Sequence, residues 1–136
     1  MVKADQNLSG IALFGFADTS GKVLNEVGAS ATAPLRSMSV FVEAGRSIST
    51  GIALANANSV SADVTAVLRD STANELARTS FTLPSNGHLA RYAGELFPLN
   101  VVGEFRGKLD IVSTQPLVCL TLRQSESVFT SLPVIP

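Results

Sequence analysis

Turn signals cut this chain into short apolar segments, and that punctuation constrains the fold more than any other feature of the sequence. Asp18-Thr19-Ser20-Gly21, Ala44-Gly45-Arg46, Asp70-Ser71-Thr72-Ala73-Asn74, Pro84-Ser85-Asn86-Gly87 and Ser113-Thr114-Gln115-Pro116 each follow a run of alternating or β-branched apolar residues. Runs of that length suit strands and are mostly too brief for stable helices. Many short strands joined by turns describe an all-β sandwich or barrel.

The strand candidates follow in order. Residues 10–16 and 22–27 read as a hairpin closed by the turn at Asp18, and after Ala33-Pro34 come residues 38–43 and 49–55. Residues 63–69 return as 76–83. Phe105, Gly107, Leu109 and Ile111 alternate with Arg106, Lys108 and Asp110, the mark of a half-solvated strand. A turn at residues 113–116 then separates this strand from residues 117–122, which are apolar on both faces apart from Thr121, and residues 128–134 supply a last strand ending in prolines.

Helical spacing competes in one place, where Leu89, Ala93, Leu96 and Phe97 fall at i, i+4, i+7 and i+8. Gly94 weakens that helix and Pro98 stops it. The expectation is a short strand near residues 88–91, or none, and one or two helical turns around residues 92–97, with Leu96 and Phe97 plugging an open end. The fold class is therefore all-β: one antiparallel β-sandwich domain over residues 1–136, immunoglobulin-like or related, with one short helix near residues 92–97.

A chain of 136 residues can bury one core without disulfide or metal staples. Apolar residues make up 46% and charged residues only 15%, so the surface is short of charge, which points to neighbours covering part of it. The net charge of −1 is spread singly, leaving no footprint for nucleic acid or an anionic membrane. The longest apolar runs, residues 117–122 and 128–136, fall far below the roughly 18–20 residues that span a bilayer, so no membrane insertion is expected. Residues 1–7 lack the apolar run of a signal peptide, which leaves a cytosolic protein or a piece of a longer precursor. Cys119 stands alone and reads as a small buried hydrophobe.

The two ends of the chain echo each other. Residues 10–16, a turn and residues 24–27 share their layout with residues 116–122, a turn and residues 128–134. Tandem modules would give this pattern, with residues 1–35 holding the tail hairpin of a preceding repeat and residues 36–136 one complete repeat, but so would two ordinary hairpins. The phrases Ser49-Thr50-Gly51-Ile52-Ala53-Leu54-Ala55-Asn56-Ala57-Asn58-Ser59, Thr82-Leu83-Pro84-Ser85-Asn86-Gly87-His88 and Glu95-Leu96-Phe97-Pro98 resemble β-rich, immunoglobulin-like repeat modules of bacterial secreted and cell-surface proteins. The resemblance covers roughly residues 36–136. It implies an extracellular or cell-surface scaffold with neighbouring modules or a homo-oligomer as partners, and it carries no catalytic residues.

Candidate chemistry is sparse. On a helix, His88, Arg91 and Glu95 would come towards one face and form a polar cluster, and a histidine-carboxylate pair suits acid-base work. The segment offers no nucleophile, metal or oxyanion device beside it, so the plainer expectation is that Arg91 and Glu95 tie the helix to the sheet. Asp63, Asp70, Glu75 and Asp110 lack calcium-loop spacing, and Gly10, Gly15 and Gly21 match no nucleotide fingerprint. No cofactor is expected. Glycan binding would use the loops at residues 56–59, 70–74 and 85–88, although the chain has no tryptophan and a single tyrosine to serve as platforms. The leading expectation is a non-enzymatic structural or adhesive module that interacts through a sheet edge or an apolar face.

Overall fold

A computed structural model describes residues 10–97 and 104–136, so the readings placed on residues 1–7 and on Pro98 fall outside the described residues. The elements are β1 (Ile11–Ala17), β2 (Val23–Ser30), β3 (Leu35–Ala44), β4 (Ile48–Ala55), β5 (Ala62–Asp70), β6 (Glu75–Leu83), β7 (His88–Tyr92), α1 (Ala93–Leu96), β8 (Phe105–Ser125), β9 (Val128–Leu132) and β10 (Val134–Ile135). Every strand pairing is antiparallel.

The spine is β8, at 21 residues the longest described element. Its first half lies between β3 and β5, and its second half pairs with β4 and β9. Because one strand serves both neighbourhoods, the sheet curls into two leaves. The front leaf runs β10-β3-β8-β5-β6 and the back leaf β7-β4-β8-β9. The result is a sandwich-like all-β fold with one short helix among the described residues.

The turn expected at residues 113–116 is not there; the strand runs through. Pro116 sits where β8 changes partners, between Ser113 opposite Val64 and Leu117 opposite Leu35, so its missing N–H breaks no rung of either ladder. Side chains make up for irregular backbone pairing there: Thr114 Oγ1 accepts the Asp63 amide at 2.9 Å, and Ser113 Oγ accepts the Gln115 amide at 3.3 Å. Odd-numbered residues stay inward on both sides of the passage, from Gly107, Leu109 and Ile111 to Leu117, Cys119 and Thr121.

Met38, Val40 and Val42 of β3 and Val64, Ala66 and Leu68 of β5 meet Ile52 and Leu54 of β4 across one buried cluster, with Leu109, Ile111, Leu117 and Cys119 of β8 between them. The expected plug forms: Ala93 and Phe97 belong to the cluster and Leu96 packs against it. Pro133 divides the last strand into β9 and β10.

β1 and β2 make a separate two-stranded ribbon. It docks beside β9, where Phe16 stacks on Phe129 with ring centroids 3.9 Å apart and Asn25 Oδ1 accepts the Phe129 amide at 3.0 Å. Thr32 Oγ1 donates to the Cys119 carbonyl at 3.1 Å, and Val27 and Ala29 are buried.

Candidate interaction surface

The outer face of the back leaf contains a trough, and its cause is a strand of small residues. β4 turns Gly51, Ala53 and Ala55 outward. In register they face Tyr92, Ala90 and His88 of β7 on one side and Leu122, Leu120 and Val118 of β8 on the other. Small side chains between larger ones leave a groove of about 270 Å³ over Gly51 and Ala53, walled by Tyr92, Leu120, Leu122 and Phe129. The Tyr92 ring packs over Gly51, where an added Cβ would meet it at an ordinary van der Waals distance of 3.8 Å. The Tyr92 hydroxyl donates to Gln124 Oε1 at 2.6 Å, and Glu95 accepts the Tyr92 amide at 2.8 Å, so the trough has one polar end.

The second surface is the ribbon. All seven residues of β1 are exposed, and none is charged. Phe14 and Phe16, each 37% exposed, share the face that carries buried Val27 and Ala29, whereas Ile11 (66%) and Leu13 (70%) turn away from it. Among the described residues β1 pairs with β2 alone, and its other edge has no strand partner among them.

The expected polar cluster is not assembled. The helix begins only at Ala93, and residues 88–92 form a strand, whose alternation sets His88 and Arg91 on opposite faces; Arg91 borders the trough with Glu95, and His88 lies beyond its lining. Glu95 caps the chain at the Tyr92 amide, and among the described residues no ion pair links it to Arg91. The candidate loops also divide. Residues 56–59 and 85–88 meet, with Ser85 Oγ donating to the Asn58 carbonyl at 3.1 Å, whereas residues 70–74 lie at the far end of the nine-residue β5. Asn56, with no exposed surface, donates to the Val60 and Pro84 carbonyls at 2.9 and 3.0 Å and accepts from the Asn58 side chain at 2.7 Å, so the loop amides hold one another.

A buried carboxylate was not singled out from the sequence. Glu43 is 4% exposed, and its Oε1 accepts from Arg106 Nε at 2.9 Å and Nη2 at 2.6 Å, while Oε2 accepts from Arg123 Nε. The Arg123 hydrogen bond holds its carboxyl below the usual value against the opposing effect of burial, with Arg106 adding to it. The group clasps β3 to both halves of β8. The signal that could have revealed it is the direct cross-strand pairing of Glu43 with Arg106, which needs the register to be known.

Chemistry elsewhere is muted. Burial pushes the Cys119 thiol up to about 12, so the nucleophilic thiolate does not form near neutrality. Among the described residues no three of His, Cys, Asp and Glu converge as metal ligands, and no helix is long and apolar enough to cross a membrane.

Fold and surfaces together define a charge-poor, sandwich-like all-β module with an open apolar strand edge and an apolar trough. No family model matches the sequence, and neither a curated protein nor a solved structure matches the chain.

Proposed function

We propose that this chain is a non-enzymatic structural or adhesive module of a bacterial extracellular or cell-surface protein, interacting through a sheet edge or apolar face. The observation that carries the reading is β1, a strand with no charged residue and every position exposed. Apolar area left in water forgoes roughly 25 cal/mol per Å², and an unblocked edge offers a row of unpaired N–H and C=O groups, so both favour a protein neighbour. The extracellular, immunoglobulin-like affiliation rests on the resemblance carried by residues 49–59, 82–88 and 95–98. Sedimentation velocity from micromolar to millimolar chain should show mass rising with concentration. A chain that stays monomeric throughout contradicts the reading.

One observation favours a second reading, glycan binding. Tyr92 is 41% exposed at the polar end of the trough, beside Gln124 and Glu95, where an aromatic face and hydrogen-bonding groups meet. A glycan array with binding above background that Tyr92→Ala removes would support it, and a blank array would sink it.

A further inference from the structure

Most edges of this module are guarded against strand addition. The β6 edge carries Glu75 and Arg78, joined by an ion pair at 2.8 Å, and β7 carries His88 and Arg91. β10 has two residues set between Pro133 and Pro136, and β9 is faced by β2, whose Asn25 takes up the Phe129 amide. Charge, proline, brevity and cover are the usual means of blunting an edge. β1, Ile-Ala-Leu-Phe-Gly-Phe-Ala, has no charge, no proline and seven residues of length, and no cover among the described residues.

The backbone of β1 shows which groups are open. The Gly10 carbonyl accepts the Ala31 amide at 2.9 Å, which makes Gly10 and Ala31 a hydrogen-bonded pair. Alternation along an antiparallel ladder then directs the N–H and C=O of Ala12, Phe14 and Phe16 towards β2 and those of Ile11, Leu13 and Gly15 towards the free edge. An edge of this kind accepts an antiparallel partner.

We infer that β1 pairs edge to edge with β1 of a second copy of this chain, antiparallel about a two-fold axis through Phe14. That register engages all seven strand residues and sets large against small: Leu13 faces Gly15 of the second copy, Ile11 faces Ala17, and Ala12 faces Phe16. Leu13 and Gly15, whose backbone groups are open, become a hydrogen-bonded pair, and the two Phe14 residues become the close non-hydrogen-bonded pair at the axis. The contact is isologous, so it closes as a dimer and does not propagate. A seven-residue edge buries less than the roughly 1,200 Å² of a standard stable interface, so the dimer forms reversibly. The inference rests on reading the chain as an associating module and names the partner and the strand.

The test uses the whole chain in three variants. Leu13→Lys, at a position 70% exposed, should leave the thermal melt unchanged and weaken dimerisation at least tenfold by sedimentation. Phe14→Cys should give a disulfide-linked dimer on mild oxidation, because non-hydrogen-bonded partners stand about 4.5 Å apart at Cα. If Leu13→Lys dimerises like the unaltered chain while Ala53→Glu in the trough abolishes the dimer, the seam lies elsewhere and the inference is overturned, although the associating-module reading stands. Cross-linking through Leu13→Cys in place of Phe14→Cys would overturn the register, and a chain monomeric at every concentration would end both readings.

Discussion

The hairpins β1–β2 and β5–β6 close with the same turn and present opposite edges. Asp18 Oδ1 accepts the Ser20 amide at 2.8 Å, the Ser20 hydroxyl at 2.6 Å and the Lys22 amide at 3.1 Å. Asp70 Oδ1 accepts the Thr72 amide and hydroxyl, both at 2.8 Å, and the Asn74 amide at 2.9 Å. Beyond the turn they diverge. β5 lays Val64, Ala66 and Leu68 into the core, and its partner β6 faces outward with Glu75 and Arg78. β1 meets solvent with apolar residues on both faces. Turn chemistry thus settles that a hairpin forms, while its edge residues settle whether the sheet stops at water or continues into a neighbour.

The largest expected effect comes from prising the anchored hairpin off its leaf. A Cβ at Gly107 of β8 would stand 2.1 Å from the Arg69 carbonyl of β5 and 2.6 Å from the Phe105 ring, so Gly107→Ala must part the strands. It should cost about 3 kcal/mol by urea denaturation while leaving the proposed association through β1 unchanged in the remaining folded protein. Next is Glu43→Gln, which removes the carboxylate that ties β3 to β8; the expected loss is about 2–3 kcal/mol, kept below that of a fully buried pair because Arg106 is mostly exposed. The sign in pH follows from the lowered folded value. Stability contributed by Glu43 is present above its ordinary value of 4.5 and is lost as pH falls through the lower folded value. Thermal melts should therefore decline on acidification below about 4.5, with Glu43→Gln flattening that decline. β1 has no titrating group, so association between about pH 5 and 8 should not move with it.

The smallest effects lie in the shared turn. Gly21 at φ 85° and Ala73 at φ 69° fill the same left-handed position, and only glycine adopts it without strain. Ala73→Gly should raise stability by about 0.5–1 kcal/mol, and Gly21→Ala should lower the protection of the β1–β2 amides by about 1 kcal/mol in hydrogen exchange. Equal, negligible effects at both positions would break the equivalence of the turns.

Alternation and turn chemistry made most strands legible, down to the strand-then-helix passage through His88 and Tyr92, because those signals are local. The run through Ser113 and Pro116 misled, since proline punctuates a chain by removing an N–H and here that N–H would have had no partner. The site was harder. His88, Arg91 and Glu95 group only on a helix, and the trough depends on Gly51 and Ala53 lying between Tyr92 and Leu120, residues distant in sequence. Register brings them together, as it does Glu43 and Arg106, and register is set by long-range pairing.

Hydrogen exchange on the two hairpins at rising concentration tests the central claim most directly. The outward amides of Ile11, Leu13 and Gly15 should gain protection as the chain is concentrated, while those of β6 stay unchanged. Exchange at β1 that is indifferent to concentration, or protection that rises equally at β6, would contradict the account.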